Sequence, residues 1–296
     1  MIAVEARNVD VIFQAENRLV KALNNLTLQV TAGSWLSIIG KNGSGKSTLA
    51  RVLAQLMPVS RGELFIMEKR VKAGGGNKQE GPLRKLHKTR TPDVQMVFQN
   101  PEAGLVGETV FEDVAFGLSL LQVPVSEMRE AVHQALLPFG LHRWMDKPVA
   151  NLSGGQKQLL CIASCFAMNP AVFIFDECTS MLDESARQTV RHAVKKLQAS
   201  GKTIIWLTQH LEELEDADTV VALEDGQIRY QGDARSFFYE TPDTSQNNSW
   251  CRALNFTPPY IVQVAEHLRL RQNLSWFKPI SAKELLEWRN TSCLSN

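Results

Sequence analysis

One octapeptide, Gly40-Lys41-Asn42-Gly43-Ser44-Gly45-Lys46-Ser47, limits what this 296-residue chain can fold into more than any other stretch. An apolar run, Trp35-Leu36-Ser37-Ile38-Ile39, precedes it, and Thr48-Leu49-Ala50-Arg51-Val52-Leu53 follows with helical spacing. Strand, glycine-rich loop, helix is the context in which G-x-x-x-x-G-K-[ST] carries meaning. Glycines let the backbone N–H groups turn inward as a concave nest for phosphate oxygens. The helix that opens at Ser47 and Thr48 adds its free N–H groups and the positive end of its dipole. Lys46 can reach β- and γ-phosphates, and the Ser47 hydroxyl can ligate Mg²⁺. A plain Gly/Ser loop looks different: Gly74-Gly75-Gly76-Asn77 has neither Gly-Lys-Ser nor an apolar strand before it. The octapeptide predicts nucleotide binding.

Composition narrows the rest. Apolar residues make up 44% of the chain, enough for a full core of one large domain with an appendage. Thirty-two Lys and Arg stand against 31 Asp and Glu, a balance that argues against the broad basic surface of a nucleic-acid binder. Cys161, Cys165, Cys178, Cys251 and Cys293 form neither a C-x-x-C pair nor a secretory framework, so they are expected to be reduced. No early basic segment leads into an apolar stretch, and no run approaches a membrane span. The expectation is a cytoplasmic chain whose membrane association comes through a partner.

Alternation predicts strands at 3–13 and 22–30, before the phosphate-loop strand, and a short strand at 61–66. Residues 68–92 are basic and Gly-containing, which predicts a surface loop. A buried strand at 94–98 is followed by helical spacing over 109–143, broken at Val123-Pro124, and by a helix from Ser153 to about Ala167. Ala171-Val172-Phe173-Ile174-Phe175 and Thr203-Ile204-Ile205-Trp206-Leu207 are continuous apolar runs, the pattern of strands covered on both faces. A helix at 184–199, a short acidic helix at 211–216 and a hairpin at 219–230 complete an α/β sheet with right-handed crossovers. Residues 241–249 shift to a polar linker composition, and 250–290 predict a small helical appendage.

Two further constellations stand out. Leu152-Ser153-Gly154-Gly155-Gln156 places a hydroxyl and two glycines at a helix start, which suits phosphate and equally suits a simple Ser N-cap. Later the buried strand ends in Asp176-Glu177. A carboxylate at such a strand end can hold a Mg²⁺-bound water beside Ser47, and its neighbour can accept a proton from an attacking water. Adjacent acids are otherwise solvated surface residues, but these two terminate an apolar strand.

Taken in order, the phosphate loop, the Ser153-Gly154-Gly155-Gln156 signature, Asp176-Glu177, Ser180-Met181-Leu182-Asp183 and Thr208-Gln209-His210 resemble ABC transporter ATPases over about residues 3–240. The resemblance implies a P-loop NTPase core with an antiparallel β subdomain and a helical signature subdomain at about 100–165. It leaves 241–296 as linker and C-terminal extension. It makes Gln99 a sensor of the γ-phosphate and the membrane partner, with a hand in the metal site beside Ser47 and Asp176. Asp183 then belongs to a loop that crosses to the partner, and His210 is the switch histidine on the γ-phosphate and water. Phe13 fits the aromatic that stacks on adenine, against the plainer role of a strand-core Phe. The family works as head-to-tail dimers, each ATP lying between one subunit's phosphate loop and the other's signature.

A narrower resemblance, to the ATPase of energy-coupling factor (ECF) transporters, rests on Val97-Phe98-Gln99-Asn100-Pro101-Glu102, Val106-Gly107-Glu108-Thr109-Val110 and Glu112-Asp113-Val114-Ala115-Phe116-Gly117. Thr179 to Asp183 and the tail from Leu254 to Pro259 and Val262 to Leu268 add to it. It implies an ATP- and Mg²⁺-dependent hydrolase that energises uptake of a vitamin or transition-metal ion. Its partners would be a second ATPase subunit (another copy or a paralogue), a membrane coupling subunit and a substrate-binding membrane subunit. The tail, rich in Leu, Val and Trp, is expected to carry more apolar surface than its helices can cover, and so to clamp the dimer. Two departures are Glu102-Ala103-Gly104, where the family often has Asp-Asn-Gln, and Glu184, where it often has Pro. An ATPase of another transporter type shares most of these motifs. A soluble ABC protein acting on ribosomes or DNA fits less well, because the chain has one phosphate loop and no heptads.

Overall fold

The computed structural model describes residues 1–15, 18–71, 93–242, 248–272 and 277–292. Among the described residues, ten strands form two sheets. β1 (Ile2–Ala15), β2 (Arg18–Thr31), β4 (Arg61–Ile66) and β5 (Lys69–Val71) make an antiparallel sheet in the order β2-β1-β4-β5. β3 (Trp35–Gly40), β6 (Val94–Val97), β7 (Val172–Asp176), β8 (Thr203–Thr208), β9 (Thr219–Glu224) and β10 (Gln227–Gly232) make the second, ordered β10-β9-β3-β8-β7-β6. Only the β9–β10 pair is antiparallel there, joined through the Glu224-Asp225-Gly226 turn.

The burial patterns explain this division. In β2, Leu23, Leu26, Leu28 and Val30 are buried while their neighbours are not, so that sheet has one wet face. Every residue of β3, β7 and β8 is buried, so the second sheet must be covered on both sides. One side packs with α1 (Lys46–Leu53) against the antiparallel sheet. The other carries α2 (Val110–Leu120), α3 (Val125–Leu136), α4 (Gly154–Ala167) and α5 (Glu184–Ala199). Pro124 N-caps α3, which gives the predicted break its cause: a ring that cannot continue α2 can start the next helix. The acidic segment Leu211–Asp216 is a 3₁₀-helix.

Within the expected loop at 68–92, residues 69–71 instead extend the sheet as β5, turning on Met67 and Glu68 at positive φ. The remaining 72–92, with Gly74 to Asn77, lie outside the described residues, as do 243–247 of the linker and Cys293. The other four cysteines are free.

The tail differs from expectation. Its helices α7 (Trp250–Ala253), α8 (Tyr260–Gln272) and α9 (Ala282–Ser292) follow α6 (Ala234–Tyr239). Cys251 and Val262 join Ile39, Val220, Ala222, Tyr230, Phe237 and Phe238 in one core, with Leu254, Phe256 and Ile280 packed against it. Ala265 and Phe277 are buried too, and Ile261, Val264, Leu268, Leu285 and Trp288 are half-buried. The surplus apolar surface expected there is therefore largely consumed within the chain, because α6 presents two adjacent phenylalanines for the tail to cover. Leu286 and Tyr260 stay exposed.

Candidate nucleotide site

Parallel strands deliver their C-terminal ends to one edge of the second sheet, and the candidate residues collect there. β3 runs into the phosphate loop, β6 is followed by Gln99, β7 ends at Asp176-Glu177, and β8 is followed by Gln209. Register sets their heights: Ile39 pairs with Thr208, and Asp176 with Leu207.

Positive φ at Gly43 (+83) and Gly45, and close contacts at Gly40 and Gly45, require glycine in the loop. Gly45 has φ +102, and a Cβ there would lie 2.6 Å from the Ala22 carbonyl oxygen. A Cβ on Gly40 would meet Ser44 Oγ at 2.3 Å and the Leu223 carbonyl at 2.7 Å. Lys41, Asn42 and Gly43 face outward, while the buried Lys46 ammonium lies inside the loop. It donates to the Gly40 carbonyl at 2.7 Å and the Lys41 carbonyl at 3.2 Å, and stands 3.5 Å from Glu177 Oε1. A desolvated cation held only by carbonyls and one carboxylate is a site for anionic oxygens.

Ser47 Oγ donates to Asp176 Oδ1 at 3.2 Å. Asp176 is almost fully buried, and desolvation, with the Glu177 charge beside it, holds its carboxyl above the usual range. The Ser47 hydrogen bond and the Arg51 and Lys46 charges oppose that rise. A half-buried hydroxyl paired with a buried carboxylate, next to a second carboxylate, fits a hard divalent cation such as Mg²⁺. Glu177 itself sits at φ +47, a left-handed conformation that costs an ordinary side chain about 1–2 kcal/mol. Its N–H donates to the Leu207 carbonyl at 3.0 Å, and its carbonyl accepts from Ser180 N, so β8 and the turn that follows hold it there.

Two amides close on the Glu177 carboxylate. Gln99 Nε2 donates to its Oε2 at 3.2 Å, and Gln209 Nε2 donates to the same oxygen at 2.7 Å. Gln209 Nε2 also donates to Asn42 Oδ1 at 3.0 Å, tying the base to the phosphate loop. The side chain that reaches Glu177 from the end of β8 is therefore that of Gln209, the residue before His210. Among the described residues the His210 imidazole makes no hydrogen bond or ion pair; its backbone N–H donates to Thr208 Oγ1 at 3.0 Å and its carbonyl accepts from Glu213 N at 3.1 Å. The physical reason is alternation, since successive side chains leaving a strand end point apart. The register puts Glu177 level with Thr208, the last residue of β8, and Gln209 is the next residue along.

The signature residues stand elsewhere. Ser153 is the N-cap of α4: its Oγ accepts from Gln156 N at 3.3 Å and its N–H donates to Gln156 Oε1 at 2.9 Å. Among the described residues no hydrogen bond or ion pair joins 153–156 to 40–48 in this one chain. A Cβ on Gly154 would meet nothing within 4 Å, and its φ is not positive, so the chain's own packing does not demand glycine. Asp183 N-caps α5, accepting from Ala186 N at 2.8 Å. Phe13 is exposed near the Ala15–Arg18 end of the β1–β2 pair, opposite Val20.

A sequence profile described as ABC transporter matches residues 23–180, more than half of the chain. The chain belongs to the ABC transporter family. Among curated relatives of this ABC ATPase is the "Energy-coupling factor transporter ATP-binding protein EcfA" of Methanosarcina acetivorans, 39% identical over 84% of each chain. Another is the EcfA1 of Leuconostoc mesenteroides, 34% identical over 90% of this chain and 92% of that one. Solved structures agree. A dimeric ATP-binding cassette in a post-hydrolysis state with ADP and Pi is 27% identical with TM-score 0.70, covering 79% of this chain and all of that one. Clostridium perfringens cbiO1, part of the ABC transporter complex cbiONQ, is 25% identical with TM-score 0.69, covering 93% and 97%. The chain is thus a nucleotide-binding ATPase of ECF type, on an ABC ATPase fold.

Sequence reasoning missed two residues of this ABC ATPase site. The Thr208-Gln209-His210 motif by itself gives Gln209 no role; its hydrogen bonds to Glu177 and Asn42 come only with the fold. Glu213, buried at 5% exposure, accepts from Thr179 Oγ1 at 2.9 Å, Trp206 Nε1 at 2.8 Å and Thr208 Oγ1 at 2.5 Å. It ties the segment after Glu177 to the end of β8. Nothing in an acidic 3₁₀ segment distinguishes such a carboxylate from solvated neighbours.

Proposed function

We propose that this ABC ATPase binds and hydrolyses ATP as the energising subunit of an ECF-type importer. It works at the cytoplasmic face of the membrane in uptake of a vitamin or transition-metal ion. The observation that carries the reading is the cluster Lys46, Ser47, Asp176, Glu177 at one sheet edge, reached by Gln99 from a neighbouring strand. The backbone nest of Gly40 to Ser47 and the N-terminus of α1, with Thr48, hold the phosphates. Lys46 exchanges its carbonyl partners for phosphate oxygens. Ser47 and Asp176, with Gln99 nearby, would hold Mg²⁺, which supplies charge neutralisation on the transferring phosphoryl group. Glu177 accepts the proton of the attacking water, and the amide on its other side fixes its direction. Phe13 offers a stacking face for adenine.

Dimerisation, with a second copy or a paralogue, completes the site. Ser153 to Gln156 lie apart from their own chain's loop, and the open space over Gly154 supports approach of a partner's nucleotide, with Asp183 beside the same seam. No helix among the described residues is long and apolar enough to cross a membrane. Membrane coupling and substrate-binding subunits are therefore partners. Val106, Phe116, Leu120 and Val125 are exposed apolar residues just after the Gln99 segment, with Phe116 and Leu120 four apart on one face of α2. That patch supports docking of the coupling subunit.

The deciding experiment is ATP turnover by the full chain purified with its membrane partners, wild type against Glu177→Gln. Loss of turnover with ATP binding intact is expected. Undiminished turnover would remove Glu177 from the mechanism. Transport assays with radiolabelled vitamins and Co²⁺ or Ni²⁺ then assign the cargo class.

A further inference from the structure

We propose that Gln209 is the positioning residue that aims Glu177, in place of a switch histidine, and that His210 has no part in the reaction. The inference rests on the ATPase reading above and deepens it. One amide nitrogen spans two parts of the site, donating to Glu177 Oε2 at 2.7 Å and to Asn42 Oδ1 at 3.0 Å. The carboxylate on which the water must act is thereby referenced to the loop on which the phosphates must lie. Gln99 donates to the same carboxylate oxygen at 3.2 Å, leaving Oε1 as the atom nearer Lys46. The carboxylate is thus oriented, with one oxygen held by two amides and the other directed into the phosphate loop.

The residue's place is itself fixed from behind. Thr208 donates its hydroxyl to the buried Glu213 and receives the His210 N–H on the same oxygen. That pair of bonds locks the turn after β8, directing Gln209 toward Glu177 and leaving the imidazole without a partner. An amide has one further property an imidazole lacks: it does not titrate, so its donor geometry is the same across physiological pH.

The test compares Gln209→Ala, Gln209→His, Gln209→Glu and His210→Ala in the full chain with its co-purified membrane partners, reading kcat and KM for ATP and Tm. Gln209→Ala should lower kcat on the order of 10²-fold, the scale of a misaimed reacting group, with KM and Tm nearly unchanged. Gln209→His, which restores an N–H donor, should recover most of that loss. Gln209→Glu should be at least as poor as alanine, because it sets a second carboxylate against Glu177. His210→Ala should turn over like wild type. In the Glu177→Gln background, Gln209→Ala should add little in single-turnover measurements, since it acts through Glu177.

Normal turnover by Gln209→Ala, or the larger loss from His210→Ala, overturns the proposal while leaving the ATPase reading intact, provided Glu177→Gln is inactive. Losses from Gln209 and Glu177 that multiply would overturn it as well. If Glu177→Gln turns over normally, the failure lies in the reading beneath, and the proposal falls with it.

Discussion

At the scale of single residues, the site trades stability for chemistry. Asp176 is buried, its carboxyl pushed above the usual range by desolvation and by Glu177. The folded protein therefore takes up that proton more readily than the unfolded chain. The contribution favours the fold in acid and is lost as pH rises through the folded-state value. Asp176→Asn should consequently raise the Tm of the nucleotide-free protein at neutral pH, on the order of 2 °C for each kcal/mol regained, while turnover collapses. A lowered Tm would show that the carboxylate is compensated by contacts other than Ser47. Glu177→Gln keeps its left-handed backbone and its place in the loop. It should retain ATP affinity, and light scattering should show the ATP-bound dimer accumulating, because hydrolysis no longer reopens it.

At the scale of elements, α4 and the segment after β6 form one body. Lys157 pairs with Glu102 at 2.6 Å, Gln158 Nε2 donates to the Phe98 carbonyl at 2.9 Å, and Ser164 donates to the buried Asp113 at 2.8 Å. Asp113 also accepts from the N–H groups of Val106 and Gly107, at 2.9 and 3.2 Å. Glu102, a departure from the family's usual residues, is here the anion that meets the helix bearing the signature. Asp113→Ala leaves those N–H groups unpaired and should cost about 2 kcal/mol, whereas Asp113→Asn, which keeps one oxygen, should cost clearly less. Denaturant melts of the two variants check this. At the start of α4 the Ser153 cap should contribute about 1 kcal/mol to its own chain. Its larger effect should fall on the partner. Lys46→Ala and Ser153→Ala chains, each inactive alone, should regain turnover when mixed, since the mixed dimer has one site with both lesions and one with neither. Silence after mixing would point to a paralogous partner or to a need for both sites.

At the scale of the molecule, the tail is part of the ATPase body. Phe237 and Phe238 are fully covered, and Cys251, Val262 and the ring of Phe256, 6.2 Å from that of Phe237, help to cover them. Removing residues 241–296 should expose that core and lower Tm by several degrees, with aggregation on heating. Deletion is therefore a poor test of whether the tail clamps the dimer. Leu286→Lys together with Tyr260→Glu alters only exposed positions. If the tail is the clamp, the nucleotide-free double variant should be monomeric in light scattering with an unchanged Tm. Equal masses would free the tail from that role.

What the sequence by itself determined was the local chemistry. Gly40 to Ser47 predict one kind of loop, Asp176-Glu177 follow directly on an apolar run, and the apolar runs at 171–175 and 203–207 have the pattern of strands covered on both faces. Those features are read within a few residues, because propensity, periodicity and glycine geometry act at short range. What only the tertiary structure decided depends on register between distant strands. The pairing of Asp176 with Leu207 sets the two strand ends side by side, and the turn that follows carries Gln209 rather than His210 to Glu177. The packing of α6 decides that the tail's apolar residues turn inward. The three donors converging on Glu213 make a structural anchor of one acid among several in its segment. Each is a relation that appears only when separate elements pack together, which local propensity does not set.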